Sequence, residues 1–449
     1  MRSLLLLATI SFVNFQVKAQ QPIKLITLDP GHFHAALVQK SMYPQVDPTV
    51  HVYAKKSIDL DMHLSKIKGY NSAVISPTSW KEVVYEGDDY LSRMLKEKKG
   101  NVVVLAGNNQ LKTDYILQSI QAGYHVFSDK PMVINEKGFE QLKLAFTAAQ
   151  KNNLLLYDIM TERYEITTIL QKALSMQSGL FGVLQKGTEV EPAVTKESVH
   201  HFYKYVSGSV LTRPAWFLDV AQEGEGIVDV TTHLVDLVQW ECFPNQIIDY
   251  KKAIKINTAK SWTTAISKEQ FTDLTKVADI PSYLKKDLDS KGNIQVMSNG
   301  EFNYTINGIH AKVSVIWNYK APEGTGDTHY SIMRGTKANL VIKQGAEQLF
   351  KPTLYIESLN ANAGYDKEVM VVIEKISQQY KGVSLQKNSK GWEVIIPESF
   401  KEGHESHFAR VTEKYLEYLT KHNMPEWEVP NMLAKYYTTT QAKKIATKK

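Results

Sequence analysis

The stretch Val102–Pro131, VVVLAGNNQLKTDYILQSIQAGYHVFSDKP, decides the fold. Val102 to Leu105 is an unbroken aliphatic run, the pattern of a strand covered on both faces. The following TDYILQSIQAG predicts a helix, with Thr113 as N-cap, Ile116, Leu117 and Ile120 on one face, and Gly123 as the stop. A second apolar run then ends in Asp129-Lys130-Pro131. Strand, helix and strand in immediate succession are the unit of a parallel sheet.

The same alternation extends outward. KLITL, VHVYA (Val50–Ala54), NSAVIS (Asn71–Ser76) and LLLYDIM read as further strands, and GFEQLKLAFTAAQKNN as a helix. Residues 21–160 are therefore expected to form a doubly wound parallel Rossmann sheet in an α/β chain. After about Tyr164 the rhythm changes to short alternating strands. Residues 161–403 predict a substrate-binding α+β domain with a large, mostly antiparallel, open-faced sheet. Residues 404–449 predict helices packing back on the domains, with Phe408, Val411, Tyr415 and Leu419 on one stripe.

Composition narrows the class. The chain has 449 residues, 43% of them hydrophobic and 22% charged, with a formal charge of +6. Residues 1–20, MRSLLLLATISFVNFQVKAQ, read as a cleaved signal peptide, the apolar core being too short to span a bilayer. Removing Arg2 and Lys18 leaves +4 (6 − 2). Such a charge, without a basic run before the tail, gives no footprint for nucleic acid. The expectation is an exported protein, periplasmic or extracellular, with no membrane contact after leader cleavage. Cys242 is the only cysteine, so no intrachain disulfide is possible.

The opening turn lies in LITLDPGHFHAALVQK, Leu25–Lys40. A dinucleotide turn carries three glycines; here their positions hold Asp29, Gly31 and His34. Gly31 supplies the middle position, where a side chain would block a pyrophosphate. Taken alone, a plain strand–turn–helix explains the stretch better.

Two further motifs resemble the glucose–fructose oxidoreductase, inositol dehydrogenase and MocA (Gfo/Idh/MocA) family. One is Ala122-Gly123-Tyr124-His125-Val126 followed by Asp129-Lys130-Pro131, with Asp129 where the family has Glu. The other is RPAWFLDVAQEGEGIVDVTTHLVDLVQW, with Trp216, Asp219, Gly224 and Gly226, then Asp229, His233 and Asp236. The resemblance implies an NAD(P)-dependent sugar or glycoside dehydrogenase. Lys130 would polarise the reacting oxygen, His233 would take the hydroxyl proton as general base, and Asp229 would orient His233 or the substrate. Gly31, His32, Phe33, His34, Asn108, Asn109, Asp129 and Lys130 would hold the cofactor. NAD is expected because the family uses it widely; Lys55 and Lys56 after the second strand keep NADP open. Lys196, His200, Trp216, Asp219 and Asp236 are the expected substrate contacts, although the Val194–Gly208 stretch reads equally as an amphipathic surface helix. His200 and His201 are adjacent, without a carboxylate or thiolate at ligand spacing, so no metal is expected.

The expected reaction is hydride transfer at a ring hydroxyl, C3 of a glycoside being one choice. The alternatives are an NAD-dependent glycosidase or lyase working by oxidation, elimination and reduction, and a non-catalytic sugar-binding module. The family resemblance also implies a homo-oligomer, dimer or tetramer, and a small carbohydrate as partner.

Overall fold

The computed structural model describes residues 22–206, 209–360 and 362–448; the leader stretch lies outside the described residues. The first six strands are β1 (Leu25–Leu28), β2 (Thr49–Ala54), β3 (Lys81–Glu86), β4 (Val102–Leu105), β5 (His125–Asp129) and β6 (Leu156–Ile159). They form one parallel sheet in the order β3-β2-β1-β4-β5-β6. Every residue of β1 and β4 is buried, as a sheet covered on both faces requires. The intervening helices are α1 (His34–Leu37), α2 (Ile58–Asn71), α3 (Tyr90–Glu97), α4 (Asn109–Gln121) and α5 (Glu136–Lys151).

Two expectations fail locally. The third strand is KEVVYE rather than NSAVIS: Val74 and Ile75 are 99% and 85% exposed and pair with nothing. An apolar dipeptide without a partner strand gains nothing from extension. Helix α4 also starts four residues before Thr113. Asn108 is its N-cap, accepting from the Gln110 N–H, while Thr113 is buried and donates to the Met132 carbonyl at 2.8 Å.

Beyond α6 (Ile166–Ser175) lies a nine-stranded sheet that begins with β7 (Val194–Tyr203). A small ribbon (β8, Tyr205–Val206; β9, Ser209–Val210), α7 (Thr231–Cys242) and α8 (Tyr250–Ala253) follow. Then come β10 (Ile254–Ile266), α9 (Lys268–Thr275), β11 (Ile294–Ile306), β12 (Ile309–Lys320), β13 (Thr328–Arg334), β14 (Ala338–Lys343) and β15 (Thr353–Ser358). Helix α10 (Ala363–Gln379), β16 (Ser384–Asn388), β17 (Gly391–Ile395), α11 (His404–Lys421) and α12 (Glu428–Ala446) complete the chain. The sheet order is β10-β11-β12-β7-β13-β14-β15-β17-β16. All its pairs are antiparallel except β12 with β7. The part read as an amphipathic surface helix, Val194–Tyr203, is thus a central strand. Its side chains alternate between faces, so the sites of Lys196 and His200 follow from register rather than from helical spacing.

Helix α7 is set by two features. Gly226 donates its N–H to Met297 O at 3.0 Å, and a Cβ there would lie 1.7 Å from the Ser298 carbonyl oxygen, so only glycine allows this approach. The second is a buried ionic cluster. Asp236 on α7 takes Arg163 Nε at 2.6 Å and Lys435 Nζ at 2.9 Å. Lys435, on α12, also reaches Asp158 on β6 at 2.7 Å, and Arg163 reaches Glu428 at 3.0 Å. These side chains are at most 10% exposed. The cluster ties the parallel sheet, α7 and the last helix together.

Burial alone would raise the Asp236 carboxyl, but Arg163 and Lys435 outweigh it and hold it well below the usual carboxylate range. Its contribution is therefore present above the ordinary aspartate pKa and is lost as pH falls through the depressed value. Asp236→Asn is expected to cost about 3–5 kcal/mol near neutrality, because it leaves two buried cations with one carboxylate partner each and the cluster short of one negative charge. Urea unfolding at a series of pH values would show the gap between variant and parent narrowing below about pH 4.

Candidate functional site

A cavity of about 860 Å³ lies between the C-terminal edge of the parallel sheet and the middle of the second sheet. From the first come His32, Phe33 and His34 on the β1 turn and Lys130 after β5; from the second come His200 on β7 and Asp327 before β13. The Gly-rich turn before α7 adds Glu223 and Asp229, α7 adds His233, and α11 closes the far side with His404 and His407.

Lys130 and Asp229 form an ion pair at the inner end, 10% and 6% exposed. Burial disfavours the ammonium, but Asp229 and Asp129 more than compensate, and Lys130 is held above its usual pKa. Glu223 is the opposite case. Burial, then the neighbouring Asp229 charge, push its carboxyl well above the ordinary range, against the pull of Lys130 and Lys112. His233 is buried enough, and near enough to Lys130, to stay neutral, and its Nδ1 has no hydrogen-bond partner. Arg213, packed on Phe217 at 4.2 Å and Trp317 at 5.3 Å, is lowered to about 10 by burial. Glu162, also in the cavity lining, is raised to about 7 by burial and by Glu165.

The opening turn does not match its expected use. The N–H groups of Gly31 and His32 both donate to the Ala106 carbonyl, at 3.2 and 3.1 Å. A Cβ on Gly31 would lie 3.1 Å from the Trp216 ring, and Trp216 Nε1 donates to Asp59 at 2.7 Å. The space left against Gly31 is about 20 Å³, enough for one water. Helix α1 is a single turn, too short for the aligned N–H groups that a phosphate would need. Asn108 donates to Gln222 at 2.7 Å and Asn109 to the Glu223 carbonyl at 2.7 Å, so neither is free for a cofactor. In this conformation the Gly31 and His32 N–H groups are taken by the Ala106 carbonyl and Trp216 stands over Gly31, so the turn presents no free N–H to a dinucleotide's pyrophosphate.

Of the expected site residues, the structure brings His32, Phe33, His34, Lys130, His200, Asp229 and His233 to one cavity. Asp129 lies just behind, with His34 Nδ1 at 2.9 Å from its Oδ2. Four expected substrate contacts lie elsewhere. Lys196 is fully buried and bonds Glu241 at 2.7 Å and Gln171 at 2.9 Å. Asp236 belongs to the ionic cluster below α7. Trp216 covers Gly31, and Asp219 is buried against Gln222 at 3.0 Å and Lys286 at 3.3 Å. In the other direction, Glu223, Arg213 and Glu162 are cavity residues that the sequence reading missed. The cue for Glu223 was its place in the EGEG turn just ahead of Asp229.

The "Putative oxidoreductase C terminal domain" family matches residues 170–447, and the "Oxidoreductase family, NAD-binding Rossmann fold" matches residues 61–158. The chain belongs to the Gfo/Idh/MocA oxidoreductases. The Rossmann match begins beyond β1, its turn and β2, the part whose geometry departs from a nucleotide site. No curated protein matches. A crystal structure of a "putative oxidoreductase" from Parabacteroides merdae is 55% identical, with a TM-score of 0.92 over 94% of this chain and 97% of that one. A levoglucosan dehydrogenase solved with NADH and levoglucosan shares the fold at 12% identity (TM-score 0.58, 95% and 98% covered). So does a mutant of KijD10, a 3-ketoreductase from Actinomadura kijaniata solved with TDP-benzene and NADP, at 12% identity (TM-score 0.56, 94% and 98% covered).

If Trp216 closes the turn in solution, NAD+ or NADP+ at about 1 mM should leave the native protein's Tm within about 1 °C of its value without nucleotide. Differential scanning fluorimetry checks this; a rise of several degrees would show that the segment carrying Trp216 opens.

Proposed function

We propose that the cavity is a carbohydrate site, and that the protein is the sugar- or glycoside-acting kind of Gfo/Idh/MocA oxidoreductase, working at a ring carbon that bears a hydroxyl or ketone. One observation carries this: the Lys130–Asp229 ion pair and the Glu223 carboxyl meet in a roomy cavity lined by apolar and aromatic side chains and a few converging charged groups. Lys130 donates to the reacting oxygen and favours its alkoxide form. Asp229 keeps the lysine charged and in place. His233, neutral and unpartnered at Nδ1, accepts the hydroxyl proton, and Glu223 supplies a proton at a neighbouring oxygen. The levoglucosan dehydrogenase and the 3-ketoreductase of the same fold support a sugar, and C3 is the first carbon to test. NAD or NADP is the acceptor that the family fold implies. Since the turn is closed to it, only the proton transfers are assigned to residues here. Export to the periplasm or beyond, following a leader, is part of the same reading.

A second reading is favoured by the closed turn: a redox-neutral elimination or hydration on the sugar, with no nucleotide required. Both are tested by incubating the protein in D2O with free sugars, glycosides and 3-keto-glycosides, with and without NAD(P)+, and following products by NMR. Lys130→Ala is expected to lower turnover or deuterium uptake about 10²–10⁴-fold, and Glu223→Gln to lower it in the same direction. Conversion only with added nucleotide favours the dehydrogenase; ring deuteration or aglycone release without it favours the second reading. Unchanged rates in both variants would overturn the assignment of this end of the cavity.

A further inference from the structure

We propose that His32, His34 and Asp129 bind a divalent first-row transition-metal ion at the edge of the cavity, in the place where the fold ordinarily holds a pyrophosphate. The three residues come from two elements. His32 and His34 are spaced His-x-His across the turn after β1, and Asp129 is the last residue of β5. Among the described residues they form a set whose ligand atoms all lie within 4.8 Å of one another. Both imidazoles aim Nδ1 at the same carboxylate oxygen: His34 Nδ1 is 2.9 Å and His32 Nδ1 3.3 Å from Asp129 Oδ2. An ion with bonds of about 2.1 Å holds its ligand atoms roughly 3.0–3.4 Å apart, between octahedral and tetrahedral angles. The observed separations already fall close to that range.

The donors are also left unsatisfied in a way that a purely structural triad would not require. His32 Nδ1 and Asp129 Oδ1 are buried and have no hydrogen-bond partner. His32 Nδ1 stands 3.3 Å from the same Asp129 oxygen that His34 bonds, without a well-formed hydrogen bond of its own. The rings are fixed by packing: His32 stands edge-on to His34 at 4.0 Å, and His34 lies 4.6 Å from Phe408 and 5.4 Å from His404. The nearby cations have partners of their own. Lys130 pairs with Asp229, and Lys112 donates to the Asp129 carbonyl at 3.3 Å.

Two imidazoles and one carboxylate leave coordination positions open, and both His32 and His34 line the cavity. Such a donor set suits zinc, iron(II), cobalt(II) or manganese(II) rather than magnesium or calcium, which prefer all-oxygen sites. The expectation of no metal rests on His200 and His201, whereas the candidate ligands are two of the residues expected to hold the cofactor, His32 and His34. An ion here would act as a Lewis acid on an oxygen of whatever the cavity holds, beside Lys130. The proposal deepens the carbohydrate reading but does not depend on it, since binding is measured without sugar.

The test uses the full chain without any polyhistidine tag, stripped with EDTA and titrated with Zn2+ by calorimetry, with elemental analysis of the dialysed protein. One equivalent per chain is expected, with a raised Tm and no comparable response to Mg2+. His32→Ala and His34→Ala should each weaken binding about 10²-fold or more, the range seen when metal-site groups are lost. His32 is the least buried of the three side chains, so His32→Ala serves as the folded control, verified by its unfolding transition without metal. Zinc X-ray absorption should show nitrogen and oxygen neighbours at about 2.0–2.2 Å. No binding, or a stoichiometry and affinity unchanged in the His32→Ala/His34→Ala double variant, would overturn the proposal while leaving the Lys130 and Glu223 assignments untouched. Loss of the Lys130→Ala effect with intact zinc binding would do the reverse.

Discussion

The buried cluster of Asp236, Arg163, Lys435, Asp158 and Glu428 is the constraint on which the site depends. Charges this deep are tolerated only when each is answered in the right geometry, so the cluster admits few alternative placements of the elements that carry it. Asp158 fixes it to the parallel sheet, Asp236 to α7, and Glu428 and Lys435 to the last helix. Because α7 is held, the turn before it delivers Glu223 and Asp229 to the end of β5, where Lys130 leaves the sheet. Gly226, pressed against Ser298, fixes the same turn from the side of the second sheet. The Lys130–Asp229 pair is therefore a consequence of packing remote from the cavity.

The second theme is the reuse of the sheet's switch point. In a parallel doubly wound sheet the crevice at the carboxyl ends of the strands is the default ligand site. Here the crevice is divided. Its nucleotide half is filled by Trp216 and by the Ala106 carbonyl, and the remainder opens into the large cavity. Burial and charge sort the titratable groups along that cavity. Two carboxylates hold the lysine above its usual pKa, burial and Asp229 raise Glu223, and burial and Lys130 lower His233, so neighbouring groups in one pocket are shifted in different directions.

The family is evident over most of the chain, and the Parabacteroides merdae protein shares the whole architecture. The Rossmann match nevertheless excludes β1, its turn and β2. The turn after β1 carries two imidazoles, His32 and His34, beside Asp129 at the end of β5.

The amino-acid sequence determined what is local. Aliphatic runs of four residues and 3.6-residue periodicity marked the strands and helices of the parallel sheet, and the D-K-P and D-x-x-x-H spacings marked Lys130, Asp229 and His233, which do share a cavity. What only the tertiary structure decided were the partners. Lys196 and Asp236 looked like polar contacts for a sugar, yet each is neutralised inside the protein by a residue 45 positions away or more. Glu223 gained its role from a neighbour's charge, and Trp216 met Gly31 and Asp59 across a gap of 157 residues from the latter. Spacing along a chain records which face a side chain takes on its own element. Which group it meets there, and hence its charge and its chemistry, depends on how the elements pack, and no periodicity records that.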